Sequence, residues 1–252
     1  MHFVIAITPL NPLRAEASHR AEMVNQMLFG ETAQVTEVSD DFYRVKTTFD
    51  NYEGWIQKSQ TLDVTKKFFR KKVKGISTEN RNILFNNEPM LLPAGAPVLD
   101  TNNIEHIPLK YGRVPLNTSL TLNSQNIISI SKSFLNAPYI WGGRSMFGID
   151  CSGFTQQVFR MLNVFLPRDA YKQSEEGEVI GFLPEVQCGD LAFFDNVEGR
   201  ITHVGILLND KQIVHASGKV RIDKIDTEGI INVETCVRTH HLRIIKRIMY
   251  YK

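Results

Sequence analysis

Cys151 stands where a thiol could be made reactive. It directly follows Asp150, and apolar residues then recur at Phe154, Val158, Met161 and Leu162 with helical spacing. Asp150 therefore occupies the N-cap position of a helix whose first residue is Cys151. A thiol is mostly protonated at neutral pH. A helix N-terminus favours the thiolate through its dipole and unpaired N–H groups, and a neighbouring imidazole can take the proton as general base. The same N–H groups could hold the oxyanion of a tetrahedral intermediate. The chemistry implied is acyl transfer through a thioester. The competing reading is a buried structural cysteine, the usual fate of this residue.

Two histidines weigh on that choice. Residues 203–208 and 213–217 read as a β-hairpin. Val204, Ile206 and Leu208 should face the core on one strand and Val214 and Ala216 on the other, which pairing Val204 with Ala216 and Ile206 with Val214 satisfies. Gly205 then lies across from His215, and His203 becomes the diagonal neighbour of His215 on the opposite face. Diagonal pairs are roughly 7–8 Å apart at Cα, within reach for two imidazoles. Gly205 leaves room between them. A lone strand histidine is ordinarily structural, but two on one face have the geometry of a base and an orienting group.

The rest of the chain must hold these groups in place. Its 252 residues suffice for two or three compact domains or one large one. The 29 basic and 27 acidic residues nearly cancel, which gives no reason to expect a nucleic-acid partner. The densest basic cluster, Lys66, Lys67, Arg70, Lys71, Lys72 and Lys74, reads as a solvated face or linker. No apolar run reaches the roughly 18 residues of a membrane span, so no membrane partner is expected. The start, MHFVIAITPLNPLR, lacks a charged leader region and is broken by Pro9 and Pro12. It makes a poor signal peptide and reads better as a strand over Phe3–Thr8. Cys151, Cys188 and Cys236 are an odd set with long gaps, which argues against a disulfide framework, and no CxxC or HxxxH pair seeds a zinc site. Neither a cofactor nor a metal is expected. Free thiols and the poor leader favour the cytoplasm; a periplasmic or secreted enzyme would require a removed leader.

Residues 1–123 read as short strands and turns. Val35–Val38, Tyr43–Thr47 and Gly54–Gln57 are β-rich, parted by Asp40-Asp41 and Asp50-Asn51. Met23, Met27 and Leu28 are spaced for a short helix over Ala21–Phe29. After the basic cluster come Ile83–Phe85, Met90–Leu92, Pro97–Leu99 and Val114–Leu116. Strands this short suggest two small barrels, 1–62 and 63–123. The pattern changes at Ser124. A helical run over Ile127–Leu135 and the Cys151 helix precede strands at Leu191–Phe194, His203–Leu208, Ile213–Ser217 and Leu242–Met249. The predicted class is α+β: a papain-like layout over 124–252, with the Cys-bearing helix packed on an antiparallel sheet.

The successive segments YIWGGRSMFGIDCSGFTQQVF, PRDAYKQ, CGDLAFF, ITHVGILL and IVHASG resemble, in order, the motifs of the NlpC/P60 cysteine peptidases. The resemblance implies Cys151 as nucleophile, His203 as base and His215 as the orienting third residue. Tyr139, twelve residues before the cysteine, matches a family tyrosine near the oxyanion site; packing under the Gly-rich loop is its alternative role. Ser152 flanks the nucleophile and is expected to meet substrate. NPLRAEASHRAEMVNQMLFGETAQV, DDFYRVKT and YEGWI resemble a bacterial SH3-like (SH3b) module, and PMLLPAGAPVL resembles a second one less closely. Together with PRDAYKQ they resemble γ-D-glutamyl-L-diamino-acid endopeptidases acting on murein peptides with a free N-terminal L-Ala. That resemblance implies a carboxylate of the Arg-Asp motif, here Asp169, and an SH3b acid at the substrate amine; Glu22 is the candidate for the second, with a surface helix acid as its alternative. Trp55 and Tyr43 read first as barrel core, with lining of the same cleft as the alternative.

The expected function is hydrolysis of the γ-D-Glu–diamino-acid bond in peptidoglycan peptide recycling. A cell-wall-fragment binder with an inert Cys domain is one alternative. An amidase or acyltransferase using the same Cys–His pair is the other.

Overall fold

The computed structural model describes residues 1–248, mostly β, in two compact units. The first holds Met1–Ser119 with the segment Trp141–Ser145; the second holds Leu120–Ile140 and the chain from Met146 onward.

In the first unit, β1 (His2–Ala6), β2 (Leu10–Arg14), β3 (Met23–Leu28), β4 (Thr32–Val38), β5 (Phe42–Thr47), β6 (Glu53–Gln57) and β7 (Thr61–Val64) form one antiparallel sheet in the order β3-β2-β6-β5-β4-β1-β7. A helical turn, α1 (Lys66–Phe69), leads to β8 (Val73–Ile76), β9 (Arg81–Phe85), β10 (Glu88–Leu92), β11 (Pro97–Leu99), β12 (Asn103–Ile104) and β13 (Ile107–Lys110). These make a four-stranded and a two-stranded sheet. One apolar cluster joins Phe3, Ile5, Leu28 and Phe29 to Ile83, Leu92, Val98 and Leu109, so packing is continuous across the stretch near residue 62. Val114–Leu116, expected as a strand, forms only a bridge from Leu116 to Ser77. Pro115 between them has no N–H to offer a ladder.

The helix expected over Ala21–Phe29 is instead β3. Helical spacing of three apolar residues is outweighed by pairing with β2 along Leu10–Arg14. Both faces of this strand are covered, so polar Asn25 and Gln26 are buried as well, and alternation gives no strand signal. Gln26 is satisfied from the returning segment, where Arg144–Ser145 is β14: its Oε1 accepts from the Arg144 backbone N–H at 2.9 Å. The wholly buried Arg144 guanidinium meets the Glu31 carboxylate at 3.2 Å through both terminal nitrogens.

In the second unit, α2 (Ser124–Ser133) is followed by β15 (Gly148–Ile149), α3 (Cys151–Met161) and α4 (Ala170–Gln173). The remaining strands are β16 (Glu178–Ile180), β17 (Leu191–Asp195), β18 (Ile201–Asn209), β19 (Gln212–Ser217), β20 (Lys219–Asp226), β21 (Gly229–Ile231) and β22 (Arg238–Arg247). The expected last strand ended on Met249, which lies outside the described residues. Strand order is β16-β22-β17-β18-β19-β20-β21, and β21 also pairs with β22. The expected antiparallel sheet is therefore closed: six strands form a ring, with β16 added at β22. Closure needs Gly229, whose φ is +143° and where a Cβ would collide with the His240 carbonyl oxygen at 1.8 Å.

Alternation gives the ring two faces. Ala192, Phe194, Leu207, Ile213, Ile225, Ile230 and Ile245 cluster on one. Val204, Ile206, Val214 and Ala216 point to the other, and α3 packs on β18 and β19.

Candidate active site

Cys151 begins α3, and Asp150 caps it by accepting from the Gly153 N–H at 2.7 Å. The cap is itself clamped. Arg168 donates to both Asp150 oxygens, at 3.0 and 2.5 Å, and to Ser152 Oγ at 2.9 Å, with all three side chains buried. The Ser152 side chain, expected to meet substrate, is thus turned into the cap cluster, because the buried guanidinium needs acceptors on that side. Arg168 lies within PRDAYKQ, but its part in the cap was not legible from spacing.

The register of β18 on β19 is Gly205↔His215 and Ile206↔Val214, as the hydrophobic pattern predicts. His203 and His215 share a face, and His203 Nε2 lies 2.8 Å from His215 Nδ1. The line continues onto the next strand. His215 pairs with Arg221, making Asp223 its diagonal neighbour, and His215 Nε2 lies 3.1 Å from Asp223 Oδ2. Cys151 Sγ, 4.0 Å from the Thr202 carbonyl oxygen, meets the backbone on either side of His203, since the Val204 amide also faces it. A cleft of about 340 Å³ opens here, lined by Tyr139, Thr202, His203, Ser217, Gly218 and His240 among others.

Burial pushes the Cys151 thiol up to about 12, and the Asp150 carboxylate adds to this. The Val204 and Ser152 amides and the Arg168 charge pull the other way without prevailing. The thiolate expected from the helix start alone is therefore not the resting form, because desolvation outweighs the helix-end field. His203 is held well below the usual imidazole range by burial and by His215 and His240. Burial thus favours the uncharged form of both groups. Burial also raises the Tyr139 hydroxyl, and Cys151 and Asp150 contribute to that shift.

His240, missed in the sequence, stacks on His203 with ring centroids 4.1 Å apart and planes 26° apart. A long turn separates β21 from β22, so no short-range pattern ties it to the site. Nitrogens of His203, His215 and His240 lie within 4.8 Å of one another, a spacing worth testing for a metal. The fit is poor. In-plane lone pairs of two near-parallel stacked rings do not converge on one point, and His203 and His215 already bond to each other.

The NlpC/P60 family matches residues 136–239, which contain all of these groups up to Asp223 and the start of β22. The chain carries an NlpC/P60 domain. A second family, the bacterial dipeptidyl-peptidase SH3 domain, matches residues 13–60. A gamma-D-glutamyl-L-lysine dipeptidyl-peptidase of Bacillus cereus is 37% identical over 113 residues, 43% of this chain and 34% of that protein. The Bacillus subtilis protein of the same name is 38% identical over 117 residues, 45% and 39% of the two chains. The matched part thus spans only a little over a third of those two relatives. Dipeptidyl-peptidase 6 of Lysinibacillus sphaericus is 28% identical over 89% of this chain and 92% of its own. The crystal structure of an NlpC/P60 family protein from Bacillus cereus ATCC 10987 superposes with a TM-score of 0.81 at 19% identity, covering 97% and 99% of the two chains. An NlpC/P60 endopeptidase from Photobacterium damselae subsp. piscicida gives 0.71 at 14% identity over 88% and 66%. At these identities the likeness to the two structures is one of fold.

Asp169 stands at the start of α4, partly exposed, its carboxylate 3.5 Å from Lys172. Glu22 and Trp55 belong to the first unit. Glu22 lies just before β3, exposed, and accepts from Trp141 Nε1 at 2.5 Å. Trp55 is half-buried on β6, paired with Arg14 and Arg44. Tyr43 packs on the sheet core with Val35 and Tyr52. Cys188 contacts the Ser124 carbonyl, and Cys236 is exposed.

Proposed function

We propose that this protein is a cysteine endopeptidase that hydrolyses the γ-D-Glu–diamino-acid bond of murein peptides bearing a free N-terminal L-Ala. Cys151 is the nucleophile, His203 the base, and His215 its orienting partner. The observation that carries the reading is the bonded line His203–His215–Asp223 beside a thiol at a helix start. With His203 Nε2 committed to His215, Nδ1 is the ring nitrogen left to take the thiol proton. Because the thiol is held protonated, that transfer accompanies attack on the D-Glu γ-carbonyl instead of preceding it. His203 then protonates the leaving amine, and water cleaves the thioester. The amides at the start of α3, with the Tyr139 hydroxyl, hold the oxyanion.

The choice of bond is supported by the names of the Bacillus relatives, and the SH3 match supports a module that reads the peptide's end. In this reading, residues 1–62 and 63–123 are SH3-like modules, 124–252 is a papain-like catalytic domain, and Asp169 meets the substrate ammonium. A role in recycling small wall peptides follows from the demand for a free amine. The test is incubation of L-Ala-γ-D-Glu-diamino-acid tripeptide with the wild type and Cys151→Ala, followed by mass analysis. Release of L-Ala-D-Glu by the wild type alone is expected; an intact tripeptide with the wild type would overturn the reading.

A further inference from the structure

Asp223 is almost fully enclosed, and every contact of its carboxylate given by the structure is with a donor. Oδ2 faces His215 Nε2 at 3.1 Å and Arg221 Nε at 2.8 Å, and Oδ1 accepts from the Val233 N–H at 3.0 Å. Arg221 is tied in turn to Glu234 at 3.3 Å. These donors hold the carboxyl down at about 2 despite its burial. It is an ionised acceptor throughout the neutral range.

An acceptor with no proton dictates the protons of its neighbours. His215 Nε2 must carry hydrogen to face it. In neutral His215 the other nitrogen, Nδ1, is then bare, and at 2.8 Å it accepts from His203 Nε2–H. His203 Nδ1 is left bare in its turn. Reverse the first proton and each later one reverses: His203 Nδ1 would carry hydrogen and could not serve as a base. We infer that Asp223 is a positioning residue that sets the tautomers of His215 and His203, so that the nitrogen available to Cys151 is always the unprotonated one. The consequence for catalysis rests on the proposed roles of Cys151 and His203; the proton order does not. Geometry supports a dedicated device. On β19, His203 sits one diagonal step toward Ser217 and Asp223 one diagonal step toward Ile213, so the three side chains run in one slanted line over three adjacent strands. When His203 takes the thiol proton, the fixed negative charge at the far end of the line favours the imidazolium.

The test uses the full chain with 15N-labelled histidine. Long-range proton–nitrogen spectra report which ring nitrogen carries hydrogen, and iodoacetamide alkylation of Cys151 without substrate reports how well the base assists the thiol. In the wild type, His203 should show hydrogen on Nε2 only. In Asp223→Ala, part of His203 should carry it on Nδ1, Cys151 alkylation should slow at least tenfold, and kcat should fall with KM little changed. Asp223→Asn keeps the volume and serves if the alanine variant does not fold. Its amide can offer NH2 to His215, so a fraction of reversed tautomer is expected there too. Hydrogen on His203 Nδ1 in the wild type overturns the inference. So does an unchanged tautomer in whichever variant folds, with alkylation within twofold of wild type. Failure of the wild type to cut the murein tripeptide would overturn the substrate reading alone, since neither readout uses that substrate.

Discussion

Gly205 lies directly across from His215 on the neighbouring strand, and a Cβ there would sit 2.9 Å from the His215 Cβ and 2.7 Å from Ile213 Cδ1. Both neighbours are buried in the ring. Gly205→Ala is expected to cost about 1–3 kcal/mol in unfolding free energy, as overpacking does. It should also push His215 off His203 and lower kcat at least tenfold. Denaturant unfolding and steady-state kinetics check this, and wild-type turnover in the variant would show that the spacing does not matter.

Cys151→Ala and Cys151→Ser should fold and lose nearly all hydrolysis. Cys188→Ser and Cys236→Ser should retain it, because those thiols lie elsewhere, one against the Ser124 carbonyl and one exposed. Thiol titration and peptide assays on the four variants decide the matter.

His203→Ala should reduce kcat more than His215→Asn. His203 moves the proton, whereas an asparagine at 215 can still offer an acceptor to His203 Nε2. Near-equal losses in the two variants would contradict this division of labour.

Acid should destabilise the fold in two windows. His203 and His240 are held neutral, the latter down to about 4, by burial first. Their unfolded forms charge near 6.5, so below that pH the unfolded chain binds more protons and stability falls. For buried His203 the slope is up to about 1.4 kcal/mol per pH unit. Asp223 contributes a term of the same sign in a lower window. Its carboxyl is depressed to about 2, so its stabilisation is whole above the unfolded value near 3.8 and is lost as pH falls through 2. Thermal melts from pH 8 to 2 should show both declines. A melting temperature flat from pH 7 to 4.5 would contradict the neutral histidines.

N-acetylating the tripeptide removes the ammonium that Asp169 is proposed to read. The expected cost is at least tenfold in kcat/KM, about 1.4 kcal/mol, and Asp169→Asn should shrink that preference. Equal rates on both peptides would show that the amine is not recognised.

The histidine face was legible because pairing Val204 with Ala216 and Ile206 with Val214 fixes the register, and period-two alternation then puts His203 and His215 together on the other side. Asp223 could have been found by the same rule. Gly218 follows β19, and continuing the pairing around it sets His215 against Arg221 and Asp223 one diagonal on. Nothing comparable marks β3, whose polar Asn25 and Gln26 are buried alongside its apolar residues. The thiol's high pKa was hidden for a different reason. Sequence shows the helix start that favours a thiolate, but burial, which opposes it, is decided by strands far along the chain.

The first unit is not a continuous piece of chain. Its fully buried Arg144, which meets Glu31, is synthesised well after the last strand of that unit, β13, which ends at Lys110. A nascent chain that has reached only Ser119 holds the Glu31 side chain without that guanidinium, and a carboxylate enclosed without its cation is costly. Completion of the amino-terminal unit is thus timed by translation: it waits for the stretch made just before Cys151, so the two parts of the chain mature nearly together instead of one after the other.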